Sequence, residues 1–191
     1  MLKRLYVQMK YIFLGGWMLI LMYRLSSLGC KQMIQEDIAA YNKKASVKLS
    51  MLDIVFDETK RPFRNVLYYR FSRDNCNRKF LKICKFFIRP LVTIEISGEI
   101  DGGLKITHNY CVINVIKAGK NLAVLQGVTI GANNGTPTIG NNVIIFPNSV
   151  VFGDINIGNN VMIGAGSVVN KDVPNNTVVV GNPFRIIRQS S

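Results

Sequence analysis

Hydrophobic side chains recur every six residues along the second half of the chain, in two consecutive runs. The positions are Ile94, Ile100, Ile106, Val112, Ala118, Val124 and Ile130, followed by Ile139, Ile145, Val151, Ile157, Ile163 and Val169. A period of six belongs neither to an amphipathic helix nor to an ordinary alternating strand. It is typical of a parallel β-helix, in which each hexapeptide forms one flat side and three sides complete a coil. The pattern predicts that these side chains stack inside a triangular prism.

Glycine directly follows many of these positions, as at Gly119, Gly140 and Gly158. Because glycine adopts backbone conformations that other residues avoid, we expect it at tight corners between the sides.

The step from Ile130 to Ile139 spans nine residues instead of six. The extra length should leave the coil as a short loop, which is either a tolerated surface insertion or a loop that covers a site.

The first half of the chain shows helical spacing instead. One predicted helix, over residues 31–43, has an apolar stripe with Glu36 and Asp37 on its other side. A second, over residues 63–73, leaves Arg70 off its apolar stripe. These charged side chains are therefore expected to lie away from the apolar faces of the two helices.

Pro90 stops a third basic helix and gives a natural boundary. We predict a basic α-helical region over residues 1–90 and a β-helix domain over residues 91–191. The coils should end near Val169, where the register breaks, and a C-terminal tail should follow.

Charge is concentrated in the first of these units. Residues 1–90 hold 18 of the 24 lysines and arginines against six acidic residues, which gives +12 of the total charge of +13. Nucleic-acid binding is one interpretation of such a charge, but no nucleic-acid motif is present and we expect no such partner. An anionic membrane surface or an acidic substrate fits at least as well.

The uncharged stretch from Tyr11 to Tyr23 is 13 residues long, whereas about 20 are needed to span a bilayer. Two interpretations remain open for it. It is either a core or oligomer-interface helix, or a helix through which residues 1–30 lie on a membrane surface. The first is the default for such a stretch, and the basic flanks and Trp17 are the features that support the second.

Four cysteines include no C-x-x-C pair, and the chain has one histidine. We therefore predict no metal site and no disulfide framework. Reduced thiols indicate a cytoplasmic protein, either free or peripheral at the inner membrane face.

Several stretches resemble the hexapeptide-repeat acyltransferases, and within them the serine acetyltransferase-like proteins. They are IDGGLKITH (100–108), QGVTIG (126–131), PTIGNNVII (137–145) and the long run over 153–187, with MIQEDIAAY (33–41) and RPFRNVLYYRFS (61–72) in the helical half. The resemblance implies a mainly β fold, a left-handed parallel β-helix with an N-terminal α-helical segment. It further implies a homotrimer or a dimer of trimers, with acetyl-CoA as co-substrate.

Transfer of an acetyl group from a thioester to a hydroxyl needs a base that takes the hydroxyl proton. Imidazole suits this task because its pKa lies near working pH. His108 is the only histidine, and it matches the family's catalytic histidine. Where the family commonly places an acidic residue to orient the imidazole, this chain has Thr93. Glu95 is the nearby carboxylate that could replace it, and the alternative for Glu95 is an ordinary solvated residue.

By the same resemblance, coenzyme A should lie along a prism edge. Ala165 and Pro147 would face its pantetheine arm, and cations would meet its phosphates. The residues matching the nucleotide end are Asn170, Lys171, Arg185 and Arg188. A solvated basic tail is the alternative for the arginines. The backbone N–H of Gly131 is the candidate donor for the developing oxyanion.

Two acceptors compete for the acetyl group. L-Serine, in cysteine biosynthesis, is favoured by the similarity of the helical segment. A sugar hydroxyl of a surface-polysaccharide precursor, as a small molecule or linked to a lipid, is favoured by Thr93 and by the stretch GTPT, which lacks the family's second histidine. The alternatives to an enzyme are a non-catalytic β-helix scaffold and a membrane-surface binding protein.

Overall fold

The computed structural model describes residues 2–43, 45–74 and 78–189. The described chain begins with helices and passes to strands between Phe87 and Ile94. The helices are α1 (Leu2–Leu25), α2 (Leu28–Asn42), α3 (Met51–Phe56), a 3-10 helix (Glu58–Lys60), α4 (Pro62–Arg73) and α5 (Arg78–Phe87). Across the described residues, every helix falls short of the length and apolar character that a bilayer crossing requires.

The second half forms short strands that pair with strands of the next coil. They are β1 (Ile94–Ile100), β2 (Lys105–Ile106), β3 (Cys111–Ala118), β4 (Ala123–Val124), β5 (Thr129–Gly131), β6 (Thr138–Ile139), β7 (Ile144–Ile145), β8 (Val150–Phe152), β9 (Asn156–Ile157), β10 (Met162–Ile163), β11 (Val168–Val169), β12 (Thr177–Val180) and β13 (Arg185–Gln189). All pairs are parallel except β12 with β13. The predicted parallel β-helix is thus confirmed.

Three faces make up the prism. The first face holds β2, β4, β7, β10 and β12; the second holds the start of β3 with β5, β8 and β11; the third holds the end of β3 with β6 and β9. We call the corner between the first and second faces the His108 edge, the corner between the second and third faces the loop edge, and the corner between the third and first faces the asparagine edge. Strand β1 pairs along β3 and bends around the loop edge with it.

Inward side chains stack from coil to coil as the six-residue period predicts. On the first face the register partners are Ile106, Val124, Ile145, Ile163 and Val179, all fully buried. Burying each such side chain contributes about 1.5–3 kcal/mol. Val179 lies beyond the predicted end of the coils, because a shorter final coil continues past Val169 and places Val173 opposite Ile157. The prediction that the coils end near Val169 is therefore wrong.

Val112 does not point inward as predicted. Its side chain is 37% exposed, and Ile113 is buried in its place, opposite Ile130. The cause is one extra residue in the corner after Ile106. Four residues separate Ile106 from Cys111, whereas in the next coil three residues separate Val124 from Val128, the equivalent of Cys111. The extra residue moves the inward register by one position.

Glycine at the asparagine edge has a different cause from the one expected. Gly119, Gly140 and Gly158 do not have positive φ angles. A Cβ on them would instead meet the Oδ1 atom of an asparagine in the next coil, at 2.5, 2.8 and 2.6 Å respectively. The left-handed conformation falls on a following asparagine in each coil, namely Asn121, Asn142, Asn160 and Asn176. Glycine is therefore selected for close packing between coils, which leaves room for ladders of hydrogen-bonded asparagine side chains.

The extra residues after Ile130 do leave the coil as predicted. Residues 132–134 are exposed, and Gly135 brings the chain back against Asp154 of the following coil. The loop therefore lies at the corner between the second and third faces.

A buried ion pair joins helices α2 and α4 to each other and to the first coil of the prism. Arg70 donates two hydrogen bonds of 2.9 Å to the Asp37 carboxylate, which also accepts the N–H groups of Gly103 and Leu104 at 2.8 Å. Burial raises the pKa of Asp37, and these four donors oppose that rise. The expectation that Asp37 and Arg70 lie away from the apolar faces of their helices is wrong, because both are buried by partners from distant parts of the chain.

Candidate active site

His108 is exposed at the His108 edge, two residues after Ile106, whose side chain is buried in the core. Tyr41 of α2 fixes this part of the coil: its hydroxyl donates to the carbonyl of Ile106 at 2.7 Å and accepts the N–H of the same residue at 3.2 Å. Burial raises the pKa of Tyr41, so the hydroxyl remains a donor. The helical region therefore positions the segment that carries the imidazole.

An open cleft of about 480 Å³ contains His108 and joins the two halves of the chain. Its lining residues are Glu58, Thr59, Arg61 and Pro62 from the helical region, and Thr107, His108, Asn109, Tyr110 and Gln126 from the β-helix. Sequence reasoning identified His108 alone among them as a site residue. The segment beginning at Arg61 carried a family resemblance, which is the signal that could have indicated the helical side of the cleft.

The two charged residues that line the cleft, Glu58 and Arg61, form an ion pair at the surface. Glu58 lies 3.4 Å from both Arg61 and Arg64. Behind it, Asp57 pairs with Lys60, which lowers the pKa of Asp57 to about 2 with help from Thr59. The other groups beside the imidazole are neutral amides, hydroxyls and one phenol ring.

Buried polar atoms without a partner cluster near this cleft. Within the described residues they are Arg61 Nε, Thr93 Oγ1 and Thr107 Oγ1, and two of the three residues line the cleft. Such atoms cost about 1–3 kcal/mol each when nothing satisfies them. They are the atoms expected where water or a ligand completes a site.

Glu95, the predicted orienting carboxylate, is exposed on β1 opposite Val112. Across the described part of the chain, no side-chain hydrogen bond joins it to His108, and its role stays a prediction.

Cys111 lies nearer to the imidazole in sequence. Its Sγ is 3.1 Å from the carbonyl oxygen of Leu125, and burial raises the pKa of this thiol. A thiol held in its neutral form is a poor nucleophile.

Two of the predicted coenzyme A residues share the His108 edge with the imidazole. Pro147 is half-buried and Ala165 is exposed, one coil apart. Backbone hydrogen bonds of 2.9–3.3 Å tie the successive coils together along this edge, from Gly127 to Asn109, Asn148 to Gln126 and Gly166 to Pro147. Both side chains are small and lie on the same edge as His108.

The other predicted residues lie elsewhere on the prism. Gly131, Asn170 and Lys171 are at the loop edge, across the second face from His108, and an added Cβ at Gly131 would meet nothing within 4 Å. Arg185 and Arg188 are exposed on β13, which runs antiparallel to β12 at the end of the first face. Within one chain these residues are thus spread along both sides of the second face and its C-terminal end.

Comparison with known proteins identifies the relatives of this arrangement. The family described as bacterial transferase hexapeptide (six repeats) matches residues 136–171. The serine acetyltransferase of Bacillus pumilus is 31% identical over 83% of this chain and 78% of its own length. The putative colanic acid biosynthesis acetyltransferase WcaB of Escherichia coli is 42% identical over 49% of this chain and 61% of its own.

Other curated serine acetyltransferases match over a third to three fifths of their own length. Among solved structures, the serine acetyltransferase of Neisseria gonorrhoeae has a TM-score of 0.70 at 24% identity, covering 89% of this chain and 70% of that chain. This last likeness concerns the fold, a prism preceded by helices. From the extent of the Bacillus pumilus match, the chain belongs to the serine acetyltransferase family of hexapeptide-repeat proteins.

Proposed function

We propose that the protein is an acetyl-CoA-dependent O-acetyltransferase that acetylates a sugar hydroxyl, with His108 as general base. The observation that carries the proposal is the position of the only histidine in a cleft with one aromatic ring, four neutral hydrogen-bonding side chains and one pair of opposite charges. The relatives support acetyl transfer, and they include both serine acetyltransferases and the putative colanic acid acetyltransferase.

The residues present fit the donor. Small side chains along the His108 edge leave room for an extended pantetheine arm, and exposed cations at Lys171, Arg185 and Arg188 suit its phosphates. Acetyl-CoA supplies the acetyl group as a thioester. His108 takes the proton of the acceptor hydroxyl as its oxygen bonds to the carbonyl carbon, and returns that proton to sulfur as the carbon–sulfur bond breaks. Within one chain Gly131 lies across the second face from His108, so our candidate for stabilising the carbonyl oxygen is the Gly131 N–H of a neighbouring copy.

The charges of the cleft support a sugar over L-serine as acceptor. An amino acid brings an ammonium and a carboxylate, and each needs an opposite charge where it binds. Glu58 is the only carboxylate among the lining residues, and Arg61 and Arg64 already pair with it, so an incoming ammonium would have to displace these contacts. Hydroxyl and amide groups, which the cleft does offer, are the usual partners of sugar hydroxyls.

We also propose a homotrimer, or a dimer of two trimers, with the cleft completed by a neighbouring copy. Outward apolar side chains on the prism support such contacts: Val112, Ile116 and Met162 are 37%, 57% and 38% exposed. Sedimentation analysis would test the assembly, with a multiple of three of the 21.4 kDa chain expected.

A peripheral contact at the inner membrane face is the last part of the proposal. Helix α1 exposes apolar side chains about one turn apart at Leu14, Trp17, Leu21 and Leu25. The charge of +12 in residues 1–90 would favour anionic lipids.

An acceptor screen tests the function. Release of free thiol from acetyl-CoA would be measured with L-serine and with a panel of methyl glycopyranosides, for the wild type and for His108→Ala. We expect glycoside-dependent release that His108→Ala abolishes. Release with L-serine alone would contradict the sugar, and an absence of transfer to every acceptor would favour the non-catalytic scaffold.

A further inference from the structure

The backbone of Tyr110 is in the left-handed conformation, which glycine or asparagine adopts at the comparable corners of the later coils. Among described residues other than glycine, seven have positive φ angles, and six of these are asparagines. The seventh is Tyr110, with φ 62°. At the equivalent corners of the later coils on the same edge, the left-handed residues are Gly127, Asn148 and Gly166.

A tyrosine is a costly choice at such a corner. The left-handed conformation brings Cβ close to the following carbonyl and costs about 1–2 kcal/mol for most residues, whereas glycine and asparagine tolerate it. The chain uses these two tolerant residues repeatedly elsewhere, so the corner itself does not require a phenol ring. Strain of this kind clusters at active sites and ligand-binding sites.

The fold makes little use of the ring. Tyr110 is 68% exposed, and within the described residues it takes part in no aromatic pair and its hydroxyl makes no hydrogen bond. The ring lines the cleft, two residues after His108. It is thus an exposed apolar surface beside the imidazole.

We propose that the Tyr110 ring is the platform on which the acceptor sugar lies, an inference that rests on the proposed function. A pyranose carries C–H groups on its faces and hydroxyls around its rim. An aromatic ring matches the C–H face. Thr59, Thr107, Asn109 and Gln126, which line the same cleft, supply hydrogen-bonding groups for the rim. L-Serine has no comparable face, so this ring favours a cyclic acceptor.

The test is a set of substitutions at one position that separate backbone strain from acceptor binding. Tyr110→Asn and Tyr110→Gly remove the ring and suit the left-handed backbone, and Tyr110→Phe keeps the ring. Each would be compared with the wild type for the KM of the best methyl glycopyranoside, the KM of acetyl-CoA, and the melting temperature.

We expect both ring-removing variants to raise the acceptor KM at least about tenfold, as loss of an aromatic stacking partner does elsewhere. Their KM for acetyl-CoA should stay within about twofold, and their melting temperature should equal or exceed that of the wild type. Tyr110→Phe should behave as the wild type.

Three results would overturn the inference. An acceptor KM that stays unchanged without the ring would show that Tyr110 is not the platform. A comparable rise in the KM of acetyl-CoA would assign the ring to the donor instead. A wild type that acetylates no glycoside would remove the proposed function together with the platform, and this outcome is distinguishable because it precedes any substitution.

Discussion

Arg70 and Asp37 form a bidentate ion pair, with two nitrogen–oxygen distances of 2.9 Å, while both side chains are almost completely buried. Arg70 also donates to the carbonyls of Ile100 and Asp101, so one guanidinium joins α2, α4 and the first coil. The pair lies beneath the coil that carries His108.

Replacing Arg70 should therefore destabilise the protein severely. Arg70→Met leaves the Asp37 carboxylate buried without its cation, which costs about 3–5 kcal/mol. Arg73→Met is the control, because Arg73 pairs with Glu99 at 3.7 Å on the surface and such pairs contribute about 0–1 kcal/mol. Urea unfolding would measure both variants, and equal losses would contradict the role given to the buried pair.

Glycine at the asparagine edge gives a second prediction. Gly140→Ala would place a Cβ 2.8 Å from Asn159 Oδ1 and from backbone atoms of Gly158, so we expect a loss of about 1–3 kcal/mol. Gly29→Ala, in α2, meets nothing within 4 Å and should be neutral or slightly stabilising. Thermal unfolding distinguishes them, and a harmless Gly140→Ala would show that the coils can separate to admit a methyl group.

Two substitutions near the imidazole should differ in their effect on rate. His108→Ala should lower kcat by about 10²–10⁴-fold, the usual contribution of a general base. Cys111→Ala should keep kcat within a few fold, because burial raises the pKa of that thiol and leaves it protonated. Thiol release from acetyl-CoA measures both, and a large loss with Cys111→Ala would point to a covalent route.

Acid should loosen the helical side of the cleft. Lys60 and Thr59 lower the pKa of Asp57 from 3.8 to about 2, so the ionised carboxylate stabilises the folded state. This contribution is complete above about pH 4 and disappears as the pH falls towards 2. Urea unfolding between pH 5 and 2 should show a smaller pH dependence for Asp57→Asn than for the wild type. Identical profiles would remove Asp57 from the acid response.

The single tryptophan reports on membrane contact. Trp17 is 58% exposed on α1, and its fluorescence should shift to the blue when vesicles containing phosphatidylglycerol are added. Leu21→Ser should weaken this binding. Val47→Ser, which removes another exposed apolar side chain outside the helices, is the control. An unchanged spectrum with these vesicles would exclude the proposed contact.

The sequence predicted the prism well because its core depends on a local repeat. Ile106, Val124 and Ile145 are buried for a reason that each hexapeptide contains in itself. The prediction for Val112 was wrong because one inserted residue changes the inward register without changing the local hydrophobic pattern. The corner glycines were placed correctly, but their cause lies in contacts with the next coil, which the period does not specify.

Of the residues that line the cleft, the sequence indicated His108 alone, because it is the sole imidazole and it matches a family motif. Its role as a base stays a prediction. Glu58 and Arg61 join the cleft through docking of the helices on the first coil, which no local pattern reveals. The burial of Asp37 was equally hard to predict, since its partners Arg70 and Gly103 are 33 and 66 residues away.

The two ends of the prism have different closures. At the start, side chains of α2 and α4 occupy the backbone groups of the first coil, as Tyr41 does at Ile106. At the finish, β13 turns back against β12 in the opposite direction. A stack of parallel strands with open ends would be a template for endless growth into fibrils. The helices cover the start of the prism and β13 covers the end of its first face. Both closures disfavour end-to-end stacking of parallel strands and leave the sides of the prism for the contact in which a shared cleft can form.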